Sequence, residues 1–178
     1  MDVDRAGVPN LEMSPLYEVI RQNEGYLQRH AFTAITPNGI KMCTREECEE
    51  MAVSCLPDTI VLYFSDRQHS LFYDGREEVL SVNHAEMLRY FLLYSTEETP
   101  VTKDQFYDLF QSGSQDGEVP KNTFIQAVGR LRRKLVQSGA PSSLIENKTF
   151  NGQTAYYFNR SIPFLIMHRS DDTFILNR

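Results

Sequence analysis

Thr123, Gln126, Arg130, Arg133 and Gln137 recur at intervals of three or four residues, a spacing that stacks them along one side of a helix. Guanidinium and amide groups in such a row suit one chemistry above others. Arg and Gln donate to the edges of bases in the major groove of DNA, and Arg and Lys neutralise phosphates. Arg132 and Lys134 stand on the flanks of the same row. The other side is apolar: Phe124, Val128, Leu131 and Leu135 fall within about 60° of one another at 100° per residue. That side must face a core, which turns the polar row outward. The cations also suit the last turns of any solvated helix, where they oppose the helix dipole.

Charge is distributed to match. The chain of 178 residues has a formal charge of −6, yet residues 121–160 carry 7 basic and 1 acidic side chains, against 5 and 10 in residues 1–60 and 4 and 11 in residues 61–120. An acidic body therefore bears one compact basic block, and only that block suits a polyanion.

Other chemistries find little support. Cys43, Cys48 and Cys55 are odd in number and match no common zinc spacing, and His30, His69, His84 and His168 lie far from them, so neither a metal nor a cofactor is expected and the thiols read as reduced. Glu46, Glu47, Glu49 and Glu50 around Cys48 should raise its pKa. No Ser or Cys stands in a motif that recruits a His and a carboxylate, and no glycine-rich phosphate loop occurs, so no enzyme is expected. The longest apolar run, Ile162 to Met167, is far short of the roughly 20 residues that span a bilayer. With no basic start leading into an apolar segment, the expectation is a cytoplasmic protein that does not engage membranes.

The elements needed to position the basic helix can be read in order. Apolar residues at 41%, with 11 Phe and 9 Tyr, suffice for a core. Ser14-Pro15 opens a short helix ending near Gly25. Runs 31–36 and 40–42 flank Pro37-Asn38-Gly39 as a hairpin, and Thr44 with Glu47 forms a capping box for a helix that stops before Pro57. Residues 1–57 thus form a small α+β extension. Runs 60–64, 70–73 and 79–82 read as an antiparallel meander. Asn83, with Glu86 three residues on, caps a helix carrying Met87, Leu88, Phe91 and Leu92, and Thr102 with Gln105 caps another carrying Phe106, Leu109 and Phe110. A loop over 112–117 precedes the basic helix, residues 122–138. Two strand runs then surround Asn151-Gly152, a strong two-residue turn signal, over residues 145–158. Asp171-Asp172 reads as a turn between strands at Ile162–Met167 and Phe174–Leu176, within a C-terminal piece 161–178.

Meander, two helices, loop, basic helix and hairpin follow one another in the order of a winged helix-turn-helix, an α+β fold in which the last helix enters the major groove and the hairpin lies on the adjacent backbone. The run from Asn122 to Leu135, with Leu131-Arg132-Arg133-Lys134-Leu135 at its heart, then Leu144-Ile145-Glu146 and Tyr156-Tyr157-Phe158, resembles the DNA-binding domain of OmpR/ToxR-type transcription regulators. Asp74-Gly75 and Val101-Thr102-Lys103-Asp104-Gln105-Phe106 fit the same pattern, and the resemblance covers roughly residues 58–158, assigned as the DNA-binding domain 58–160. It implies DNA contacts at Asn122, Thr123, Gln126, Ala127, Arg130 and Arg132, with the wing near Lys148 to Gln153, Asn151 included; the basic residues Arg133 and Lys134 join them. The 57 residues ahead of Asp58 are too few for a receiver domain, so the resemblance points to an orphan regulator not switched by receiver phosphorylation. Double-stranded DNA is the expected partner, with RNA polymerase, another regulator or a second copy of the chain beside it. A winged-helix module that binds a protein partner and not DNA is the competing expectation.

Overall fold

The computed structural model describes residues 29–54, 57–110 and 121–172. The helix expected from Ser14, Cys55, the 112–117 loop and the strand at Phe174–Leu176 lie outside the described residues, as do the side chains of Leu109, Phe110 and Asn122. The described chain is a mixed α+β structure with a six-stranded sheet, a separate two-stranded hairpin and four helices.

Strands β1 (Phe32–Thr36) and β2 (Gly39–Cys43) form the expected hairpin around Pro37-Asn38. Helix α1 (Arg45–Ser54) starts with the expected capping box: Glu47 N donates to Thr44 Oγ1 at 3.1 Å and Thr44 N to Glu47 Oε1 at 3.5 Å. The meander follows as β3 (Ile60–Phe64), β4 (His69–Tyr73) and β5 (Arg76–Leu80). Its second turn places Asp74 and Gly75 at φ of 49° and 77°, the paired left-handed backbone of a tight hairpin.

Helix α2 (Val82–Tyr94) begins earlier than Asn83 would have it. Ser81, extended at φ −65° and ψ 160°, is the N-cap and accepts from His84 N at 3.2 Å, while Glu86, read as the carboxylate partner of an Asn83 cap, is buried at 6% exposure. A serine ahead of the expected cap offered the same chemistry, and tertiary packing selected it. Helix α3 (Lys103–Phe110) has its expected box, with Thr102 N donating to Gln105 Oε1 at 3.2 Å. Helix α4 (Lys121–Gln137) closes at Gly139, φ 87°, where Ala140 N bonds Leu135 O and Gly139 N bonds Val136 O, each at 3.0 Å. These are the two bonds of a Schellman cap. Strands β6 (Ile145–Phe150) and β7 (Gln153–Phe158) form the hairpin around Asn151 and Gly152, at φ 48° and 74°.

Strand β8 (Phe164–Arg169) starts two residues later than the run at Ile162 suggested. It inserts between β1, to which it is antiparallel, and β3, to which it is parallel, giving the order β2-β1-β8-β3-β4-β5. Pro163 stops it from starting earlier in the ladder, since proline has no N–H to donate. One face of the sheet meets α2 and α4: Ile60, Leu62, Phe64, Phe164 and Ile166 share a cluster with Leu88, Phe91, Leu92 and the whole apolar stripe of α4. On the other face Val61, Tyr63, Leu165 and Met167 meet Cys48 and Ala52 of α1. A central strand sandwiched in this way is apolar throughout, as 164–167 are.

Candidate nucleic-acid interface

Helix α4 is set by its buried side. Phe124, Val128, Leu131 and Leu135 are at most 1% exposed, and the Phe124 ring lies 5.1 Å from Phe106 of α3 and 5.2 Å from Tyr156 of β7, centroid to centroid. With that stripe locked inward, Thr123, Gln126, Arg130, Arg133 and Gln137 are all exposed, as their spacing implied. Neither Arg130 nor Arg133 has a hydrogen bond or an ion pair among the described residues.

Other described cations of the block are engaged within the protein. Arg132 turns toward the hairpin, where Nε and Nη2 donate to the Ile145 carbonyl at 3.0 and 2.6 Å, and its guanidinium sits 5.0 Å from the centroid of the Tyr156 ring. Lys134 pairs with Glu78 of β5 at 3.0 Å, and Lys148 donates to the Glu97 carbonyl at 3.1 Å. Ala127 is half-buried against the core. Asn151 is exposed at the tip of the hairpin. Thus the structure aligns Thr123, Gln126, Arg130 and Arg133 on one outward side, and uses Arg132, Lys134 and Lys148 to tie that helix and the hairpin to their neighbours.

The hairpin has two unlike sides. Asn147, which accepts from Arg132 Nη2 at 3.4 Å, and Thr149 two residues on are both exposed on the side toward α4. The other side carries Glu146, which accepts from the Tyr157 hydroxyl at 2.9 Å; that bond, with burial and the charges of Glu146, Glu97 and Glu98, pushes the phenol pKa up. Its base is joined to the body by Val101, which exchanges both backbone bonds with Tyr156, and by Ser95, whose hydroxyl accepts from Phe158 N at 2.9 Å.

Two features escaped sequence reading. His84, in the first turn of α2, is half-buried, and its pKa is lowered by burial first and then by Lys134 and Arg130, so the start of α2 lies within the field of two cations of α4. No local pattern joins residues so far apart in the chain. Gly129 lies on the outer part of α4, and a Cβ placed there would meet nothing within 4 Å. An unexplained glycine inside an otherwise regular helix was the signal available for it. Of the thiols, Cys43 and Cys48 are buried, and Cys48 is pushed up to about 12. The glutamates around it contribute, but burial is the largest cause.

Among the described residues no helix is long and apolar enough to cross a membrane. No family model matches the chain, and no curated protein or solved structure matches it.

Proposed function

We propose that the protein is a winged helix-turn-helix transcription regulator acting on duplex DNA in the cytoplasm, with α4 as the major-groove helix and the β6–β7 hairpin as the wing on the neighbouring backbone. One observation carries this reading: Thr123, Gln126, Arg130 and Arg133 form an exposed row on a helix whose other side is fully buried, and the two guanidiniums have no partner among the described residues. A major groove about 12 Å wide admits one such helix, and these are the groups that read base edges and phosphates. The wing contributes differently from the helix. Lys148 is tied to the Glu97 backbone carbonyl and keeps its charge, so the exposed side chains Asn147, Thr149 and Asn151 offer phosphates neutral donors beside it. The residue pattern resembling OmpR/ToxR-type regulators supports the same assignment.

A second reading has its own observation. On the far side of the hairpin Glu146 bonds Tyr157, and the charges of Glu97 and Glu98 act on the same phenol, an acidic field that suits a basic protein partner such as polymerase or another regulator. The deciding experiment is a gel shift with the DNA upstream of the protein's own gene, at several salt concentrations, comparing wild type with Arg130→Ala. Binding that the variant loses supports the regulator. Absence of binding by both favours the protein-partner module, and equal binding by both would take the DNA contact away from Arg130.

A further inference from the structure

Nothing within the described chain calls for a glycine at position 129. Unlike Gly139, which closes α4 at φ 87° with the Arg76 side chain 3.6 Å from where its Cβ would be, Gly129 has right-handed backbone in the helix interior and open space beside it. Among the described residues it serves no cap, no turn and no crossing of elements. A glycine there weakens the helix relative to alanine, because it loses more backbone freedom on folding and gains no packing. A glycine that the fold does not use is accounted for when something outside the fold must approach the backbone closely.

The place of Gly129 identifies what approaches. Gln126 lies three residues before it and Arg133 four after, so these two exposed side chains are its neighbours on the helix surface, with Arg130 beside them. The polar row is therefore two projecting arms with a notch between. We propose that Gly129 is the point of closest approach between α4 and the duplex, where the missing side chain lets the groove reach the helix backbone while Gln126 and Arg133 extend to either side. This rests on the DNA-binding reading and adds a contact that no side chain could make.

The test sets stability against affinity in the full chain. Gly129→Ala and Gly129→Leu replace glycine with good helix formers in empty space, so both should melt above wild type, the alanine variant by about 2–4 °C. Both should nevertheless bind the upstream duplex more weakly, by about tenfold for alanine and at least a hundredfold for leucine, in fluorescence anisotropy at fixed salt. A merely structural role moves both quantities the same way. Higher melting points with unchanged affinity would overturn the close approach and leave the regulator reading standing. A lower melting point for the alanine variant would mean that the position is packed from within, and would also overturn it. If wild type itself binds no duplex in this assay, both the close approach and the regulator reading fall.

Discussion

Arg132 and Ile145 are joined twice, through Nε at 3.0 Å and Nη2 at 2.6 Å, both donating to one carbonyl. That carbonyl belongs to the first residue of β6, so a side chain of the basic helix fixes where the hairpin begins. Arg132 and Arg133 are adjacent and chemically identical, yet one sets the angle between helix and hairpin and the other points at solvent.

Arg132→Ala should lower the free energy of unfolding by about 1.5–3 kcal/mol, the range for hydrogen bonds to charged groups, read from urea denaturation. Arg132→Lys should recover little of that loss, because an ammonium cannot place two donors on the carbonyl while stacking on Tyr156. A lysine variant as stable as wild type would show that the forked geometry contributes nothing.

Arg130→Ala should leave the melting temperature near that of wild type, since the side chain is exposed and makes no hydrogen bond in the described structure. Discrimination between the preferred site and a scrambled duplex should fall by about 1–3 kcal/mol, measured by competition binding, as expected for a bidentate reader of guanine. A variant that loses stability in step with binding would place Arg130 in the fold and not in the interface.

Leu131, one residue further along, should behave in the opposite way. It is fully buried in the cluster shared by α4, α2 and the sheet, so Leu131→Ala should destabilise by about 2–5 kcal/mol. A wild-type melting curve for this variant would invert the helix.

This contrast between neighbours was legible in the sequence because helical periodicity alone decides it: the four positions of the apolar stripe are all buried, and the five opposite are all exposed. Both capping boxes and the Asn151-Gly152 turn were legible for the same reason, each being a local stereochemical rule. The sheet was not. Strand β8 joins β1 and β3 across more than a hundred residues, and no local pattern specifies a partner at that distance. The division of labour among the cations was equally hidden. Arg132, Lys134 and Lys148 carry the same charges as Arg130 and Arg133, and only the positions of Ile145, Glu78 and Glu97 tell them apart.

Acid should destabilise the protein through its histidines before the carboxylates titrate. The pKa of His84 is lowered by burial and then by Lys134 and Arg130; that of His168 is lowered by burial, with Arg89 adding to the effect and the bond to the Arg169 carbonyl opposing it. Both start from an unfolded value of 6.5, so below it the unfolded chain binds more protons than the folded one. Stability is whole above pH 6.5 and declines as pH falls through the two folded values. Melting temperatures measured in half-unit steps from pH 7.5 to 5 should drop across this window, and the double variant His84→Asn, His168→Asn should show a flatter profile. An unchanged slope in that variant would assign the acid sensitivity elsewhere.

Salt dependence should report how many cations the protein can offer to DNA without breaking its own contacts. Each phosphate neutralised contributes about −0.9 to the slope of log K against log salt. If the basic helix and Lys148 neutralised about 4–6 phosphates, the slope would be about −4 to −5 per protomer. In the described structure Arg132 and Lys148 are bonded to carbonyls and Lys134 is paired with Glu78, which among the described side chains leaves Arg130 and Arg133 with no internal contact to break, and a slope nearer −2. Arg133→Ala should then remove about one unit from the slope and weaken binding to all sequences alike. Lys134→Ala should change it much less, because what that variant loses is the pair with Glu78. That pair is partly exposed and worth at most about 1 kcal/mol, so a phosphate placed beside it has the strength to draw the lysine away. A loss of one full unit in Lys134→Ala would therefore show that the Glu78 contact opens on binding. A slope near zero with measurable affinity would mean that phosphates are not contacted at all, and would move the assignment to the protein-partner module.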